Sequence, residues 1–376
     1  MSLAVPSSHA DSPHAPFAKS GSFVHVSTVA PVDAGGAVAG DDVAAQTRSV
    51  LETLRKRLQA AGTELDRVAS VMVYLRDAAD FAAMNQAYAA FFPKDPPTRT
   101  TIVVPPAHAK ARLEMSAVAL LPGAERRVVL PDGWKPSPSP YSYGIVSGDT
   151  LFLSGLVARN PADNSIAGGD VATQTRAVLD NAGAILKAAG LSHADVVSAR
   201  VYLPDTSGFQ AMNEAYRSYF PERPPARATV QSGLAGREYV VEITLLAVKA
   251  AARRAITTPN DDGSPGRANP NLSSAIETRD RAFLSGMLGN SEATKGDVAA
   301  QTRVTLDRLG RTLSAAGYGW EHVKDGILYV TDAANRSAVE TLWRERLGAT
   351  RAAGVTIVTP LVAPDGLVEI MLTAAR

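Results

Sequence analysis

Hydrophobic positions along this chain follow two periods, one near two residues and one near 3.6, in an order that recurs. In the middle of the chain, residues 150–157 (TLFLSGLV) are rich in β-formers and predict a strand. A helix is expected from Asp170, with Val171, Thr175, Val178, Leu179 and Ala182 on one face. Gly190 stands just past its last turn, where a left-handed residue is cheapest for glycine. Residues 196–203 predict a second strand. Residues 208–220 predict a second helix, with Phe209, Met212, Tyr216 and Phe220 in one stripe. The runs ARATVQSG and EYVVEITLLAV close the unit as two more strands. The expectation is an α+β domain of about 110 residues, a mixed sheet with two helices on one face.

The same succession occurs three times. DVAAQTRSVLETL starts at Asp42, DVATQTRAVLDNA at Asp170 and DVAAQTRVTLDRL at Asp297, spaced by 128 and 127 residues. Gly62, Gly190 and Gly317 keep that spacing, as do Tyr74, Tyr202 and Tyr329, and Glu114, Glu242 and Glu369. Four landmarks in one register identify tandem homologous domains. Two stretches rich in Pro, Gly, Asp and Ser, residues 131–140 and 257–266, read as the joints. The units are therefore placed at 1–130, with a disordered leader over 1–17, at 131–256 and at 257–376. The strand around Glu242 is apolar on both sides apart from that carboxylate, so the sheet face without helices needs a cover. Three units could bury those faces against one another around a pseudo-threefold axis, replacing a trimer by a linked arrangement.

Composition narrows the chemistry. The 376 residues carry 38 basic and 37 acidic side chains, which gives no electrostatic case for nucleic acid or an anionic membrane as partner. No apolar run reaches the length of a bilayer span. There is no cysteine, which excludes disulfides, a thiolate nucleophile and Cys-ligated metal. The six histidines show no metal-ligand spacing and are taken as structural or surface residues, so no metal is expected. A cytoplasmic location is expected.

The motif set AQTR, VYL, MNxxY, PPxR and VEI resembles the RidA family. The second unit carries it most fully: PYS at 140–142, SG at 154–155, TQTR at 173–176, MNEAY at 212–216, PPAR at 224–227 and VEI at 241–243. Members of that family are homotrimers of a chorismate-mutase-like fold with clefts between subunits. Typical ones hydrolyse 2-imino acids to 2-oxo acids and ammonia without a cofactor. The resemblance implies three chorismate-mutase-like domains forming a single-chain, monomeric pseudo-trimer with a small carboxylate as substrate. It implies that Arg99 and Arg227 hold the substrate carboxylate, a task suited to a planar guanidinium. It further implies that Glu114 and Glu242, each 15 residues after its arginine, position or activate water. Tyr141 would line the cleft, Ser154 and Gly155 would offer backbone groups, and Asn85, Asn213, Thr101 and Thr229 would contact ligand.

The third unit departs from the pattern. Gly354 stands at the arginine position, Glu340 at the asparagine and Trp343 at the tyrosine, while Glu369 is retained. At the position of Tyr141 the first unit offers Phe17 and the third Leu272. One cleft is thus expected to have lost the common chemistry. Which repeat faces which neighbour stays open, so Tyr141 could face Arg99 or Arg227. Two alternatives stand beside the deaminase: a dedicated enzyme for a larger acid of aminomuconate-like or chorismate-like type, and a non-catalytic carboxylate-binding protein.

Overall fold

The computed structural model of the chain describes residues 13–33, 35–250 and 252–376. The first repeat comprises β1 (Phe17–Ser20), β2 (Phe23–Val29), α1 (Val43–Ala60), β3 (Val68–Leu75), α2 (Phe81–Ala89), β4 (Thr98–Val103) and β5 (Leu113–Leu120). The second adds β6 (Arg127–Val129), β7 (Gly144–Ser147), β8 (Thr150–Leu153), α3 (Val171–Ala188), β9 (Val196–Leu203), α4 (Phe209–Arg217), β10 (Ala226–Gln231), β11 (Gly233–Leu234) and β12 (Glu242–Val248). The third holds β13 (Arg254–Ile256), β14 (Ala275–Glu277), β15 (Arg281–Leu288), α5 (Val298–Ala315), β16 (Val323–Val330), α6 (Arg336–Leu347), β17 (Ala353–Val358) and β18 (Val368–Ala375).

The recurring DVA(A/T)QTR segment builds the long helix of each repeat. Asp42, Asp170 and Asp297 are the N-caps, each accepting from the amide three residues on. Gly62, Gly190 and Gly317, at φ near +80°, terminate the three helices in left-handed geometry. The glutamine of each motif is buried and clamps the loop before the last strand. Gln174 donates to the Glu238 carbonyl at 2.9 Å and accepts from the Val240 amide at 3.0 Å; Gln46 and Gln301 hold the matching loops. A helix residue thereby fixes the strand that carries the glutamate.

Each repeat is built on a six-stranded mixed sheet; in the first, five strands are its own and the sixth is β11 of the second repeat, antiparallel to β4. In the second the order is β10-β9-β12-β8-β7-β6, with β9 and β10 parallel and the other pairs antiparallel. The helices pack on one face over three separate apolar cores. The opposite faces meet in a fourth core drawn from all three repeats, including Met72, Tyr74, Tyr202, Val230, Tyr329 and Ile357. This is the burial of bare sheet faces that the apolar character of the last strand demanded.

Two expectations about the joints change. Strands β6 and β13 pair into the second and third sheets ahead of the breaker-rich stretches. Those stretches therefore lie inside the first hairpin of their units, and the boundaries at 130 and 256 fall a few residues too late. Strands of three residues with an exposed arginine at their start carry too little pattern to be seen. The leader expected over 1–17 lies outside the described residues for 1–12. From His14 onward the chain is packed, with His14 itself 6% exposed.

Candidate active site

The clefts arise where the strand following the PP motif meets the next repeat. In the first seam, the Arg99 N–H donates to Ser154 Oγ at 2.9 Å, Ser154 Oγ donates to the Ser142 carbonyl at 2.7 Å, and the Gly155 N–H donates to the Arg99 carbonyl at 3.1 Å. The second repeats this with Arg227, Ser285 and Ser273. The third uses Gly354, Ser27 and Ala15. Repeat 1 thus faces repeat 2, repeat 2 faces repeat 3, and repeat 3 closes the ring on repeat 1. Ser154 and Gly155, expected to offer backbone groups to a ligand, also hold the seam, Ser154 through its hydroxyl and Gly155 through its N–H.

In the first cleft Arg99 is 3% exposed and makes no ion pair among the described residues. Its guanidinium sits over the rings of Tyr88 at 5.0 Å, Phe81 at 5.6 Å and Tyr141 at 5.7 Å, and its Nη1 has no hydrogen-bond partner. Such a cage holds the cation by ring quadrupoles while leaving its edge free for an anion. Burial lowers the pKa of Arg99, which Tyr88, Tyr141 and Glu242 oppose. Glu242 comes from repeat 2, on β12. Burial pushes its carboxyl up to about 8, against the pull of the Thr101 amide and Arg99, so at neutral pH it holds its proton. Its carboxyl lies against Gly155, where any Cβ would run into Oε1. The hydroxyl of Thr101 is buried without a partner, and together these residues line a cavity of about 280 Å³.

The second cleft has the same plan. Arg227 is 2% exposed, lies 4.7 Å from the centre of the Tyr216 ring, and donates from Nη2 to Asn213 Oδ1 at 2.6 Å. Its Nε and Nη1 are unpartnered, as is the Thr229 hydroxyl. The carboxyl opposite belongs to Glu369, also pushed up to about 8 by burial and lowered by Arg227. Gly286 takes the place of Gly155, again leaving no room for a Cβ beside the carboxyl.

The third cleft is rebuilt. Because the Ser142, Ser273 and Ala15 carbonyls are equivalent, His14, not Phe17, stands where Tyr141 stands in the first cleft. With glycine at 354 its ring occupies the vacated arginine space, next to Trp343 and 3.4 Å from Thr356 Oγ1. On α6, Arg336 and Glu340 form an ion pair of 2.7 Å at the positions of Phe209 and Asn213. Glu114 therefore shares no cleft with Arg99. Thr28 replaces the glycine beside it, and Glu114 Oε1 accepts from the Ala107 amide at 2.9 Å. Burial raises its pKa, opposed chiefly by Arg336.

The structure thus brings Arg99, Thr101, Tyr141, Gly155 and Glu242 together, and Arg227, Thr229 and Asn213 with Glu369. Asn85 does not hold Arg99 as Asn213 holds Arg227; its Oδ1 is buried without a partner. Sequence reasoning set Glu369 aside with the degenerate third unit, yet the repeat spacing that located it was already visible. The caging role of Tyr88 and Tyr216 was carried by the MNxxY motif but not drawn from it.

Comparison with known proteins agrees with this architecture. A family model described as Endoribonuclease L-PSP matches three times, over residues 7–121, 135–249 and 265–376. The RutC family protein SSO3206 of Saccharolobus solfataricus is 43% identical over 110 residues, 29% of this chain and 87% of its own length. A Capra hircus protein named 2-iminobutanoate/2-iminopropanoate deaminase is 37% identical over 110 residues, 29% of this chain and 80% of its own. A crystal structure of chorismatase shares the fold over 82% of this chain and 93% of its own, with a TM-score of 0.54 at 16% identity. With one family match on each of its three sheets, the chain belongs to the Endoribonuclease L-PSP family and carries three copies of its domain in tandem.

Proposed function

We propose that this chain is a cofactor-independent imine deaminase, hydrolysing small 2-imino acids to 2-oxo acids and ammonia in two of its three clefts. The observation that carries this reading is a pair recurring twice: a buried arginine without a counter-ion, caged by aromatic rings, opposite a carboxyl that burial keeps protonated. A relative named as a deaminase of such substrates supports the reading over one repeat.

The substrate carboxylate accepts two N–H bonds from Arg99 or Arg227, which fixes the imine carbon facing the glutamate. Glu242 or Glu369 gives its proton to the imine nitrogen as water adds to the carbon, and the carboxylate so formed takes a proton from that water. The resulting amino alcohol expels ammonia and leaves the 2-oxo acid. Imines hydrolyse in water unaided, so general acid–base help of roughly 10²–10⁴-fold is sufficient. Because the ring closes within one chain, no partner subunit is needed.

The test is pyruvate and ammonia release from freshly generated 2-iminopropionate by wild type, Arg99→Met, Arg227→Met and the double variant. Each single variant should retain part of the acceleration and the double variant none. Acceleration that survives in the folded double variant would overturn the assignment of both clefts.

A further inference from the structure

The two intact clefts are not equivalent, and the difference lies away from the shared arginine and glutamate. The cavity of the first cleft is lined by a second guanidinium, Arg159, and by Tyr239, in addition to Arg99, Tyr141 and Glu242. Counting from the seam serines, the place of Arg159 is taken by Val32 and Asn290 in the other repeats. Counting from the glutamates, that of Tyr239 is taken by Ala111 and Gly366. A cation, and a phenol beneath it, have been added to one cleft only.

Arg159 is held in place rather than trailing in solvent. Its guanidinium lies 5.3 Å from the centre of the Tyr239 ring, and Nη1 donates to the Asn164 carbonyl at 2.8 Å. That carbonyl is presented by a tight turn in which Arg159 bridges Ile166 and Asn164 adopts φ +62°, a left-handed conformation that asparagine tolerates better than most residues. Tyr143 fixes the Asn164 side chain through a 3.1 Å hydrogen bond. Arg159 has no carboxylate partner among the described residues, and of its five N–H donors one is engaged. Glu238, the other charged group on this rim, is exposed and therefore screened by solvent.

We infer that the first cleft takes a 2-imino or 2-oxo acid bearing a second carboxylate, with Arg99 holding the carboxylate next to the reacting carbon and Arg159 the distal one. This rests on the carboxylate role given to Arg99 above and names the substrate class for that cleft. A pyruvate-sized acid occupies only part of the 280 Å³ available, and because both guanidinia line this one cavity a second carboxylate on the substrate would meet a second cation within it. The second cleft, with no cation at the matching position, is left to monocarboxylates.

Binding of the stable 2-oxo products reads this inference without requiring turnover. In the Arg227→Met chain, where only the first cleft keeps its arginine, calorimetry would compare 2-oxoglutarate with 2-oxopentanoate, which has the same chain length without the distal carboxylate. 2-Oxosuccinate and 2-oxoadipate vary the span. At least one diacid should bind about 10- to 100-fold more tightly than the monoacid, the worth of a charge-assisted pair. Arg159→Met should reduce that ratio to near one while circular dichroism stays unchanged. No diacid preference, or one that survives Arg159→Met, would overturn the inference. A preference that depends on Arg159 in a protein that hydrolyses no imine would leave the inference standing and remove only the deaminase reading.

Discussion

The raised carboxyls of Glu242 and Glu369 have a consequence for stability that can be measured without any substrate. In an unfolded chain each glutamate titrates near 4.5, and in the folded protein burial pushes both up to about 8. Between those values the folded state binds a proton that the unfolded state has released. Each group's favourable contribution is therefore complete below about pH 4.5, erodes as the pH climbs, and is gone above about 8. Linkage gives about 1.4 kcal/mol per pH unit per proton, so the full interval corresponds to roughly 3–6 kcal/mol for each carboxyl. That is a large share of the roughly 5–15 kcal/mol that stabilises ordinary proteins. Glu242→Gln keeps the shape and an acceptor for the Thr101 amide but cannot ionise. Urea denaturation at pH 5 and pH 9 should show the variant about as stable as wild type at pH 5 and several kcal/mol more stable at pH 9. Glu369→Gln should behave alike, and the two gains should add because the groups lie in separate clefts. Wild-type and variant curves running parallel from pH 5 to pH 9 would refute the claim that these carboxyls are held protonated.

The same protonation state governs turnover: kcat/KM for 2-iminopropionate should fall above about pH 8, and a profile flat or rising to pH 9.5 would remove the proton-donor role of the glutamates. Gly155→Ala places a methyl where Glu242 Oε1 lies, so in an Arg227→Met background the remaining activity should drop at least tenfold, read in kcat rather than in product binding. Glu114→Gln should leave the kcat/KM of the whole chain within twofold, because its carboxyl faces the third cleft, which has no motif arginine. Gln174→Ala removes the clamp on the loop before Glu242 and takes the side-chain partner from three backbone groups, the Gly169 and Glu238 carbonyls and the Val240 amide; a stability loss of roughly 1–3 kcal/mol is expected by denaturation, with reduced turnover in the first cleft.

Much of this architecture was legible because it repeats. A spacing of 128 and 127 residues places every element of one unit on the next, and the helix caps at Asp42, Asp170 and Asp297 follow from local chemistry alone. What local pattern could not show was which repeat supplies which half of a cleft. Arg99 and Glu114 lie in one sheet yet serve different seams, because β4 and β5 lie on opposite sides of β3 and approach different neighbours. Spacing within a unit therefore left the partner of each arginine open, while the ring of repeats pairs Arg99 with Glu242 and Arg227 with Glu369. His14 was equally hidden: it lies in a Pro- and Ser-rich leader, and only the Ala15 carbonyl, bonded like those of Ser142 and Ser273, reveals its place. Arg159 carried no signal at all in one sequence, since an arginine beside an Asn-Pro turn resembles any solvated loop residue.

The rebuilt third cleft and the extra cation of the first are two results of one circumstance. In a symmetric trimer any substitution appears at all three interfaces, so replacing the motif arginine by glycine would change every site at once. Here Gly354 empties one, and the vacancy is filled from the chain itself by His14 and Trp343, which restores packing without restoring a cation at that point. The same independence allows Tyr141, Arg159 and Tyr239 to gather around Arg99 while the Arg227 cleft keeps Leu272 at the first of those positions. Covalent linkage also fixes the order of the repeats, so each asymmetric half always meets its intended counterpart. A mixture of three separate chains would assemble the Arg159-bearing repeat beside the wrong neighbour in part of its population. The joined chain removes that loss, and this gives a physical reason for carrying three diverging copies in one polypeptide.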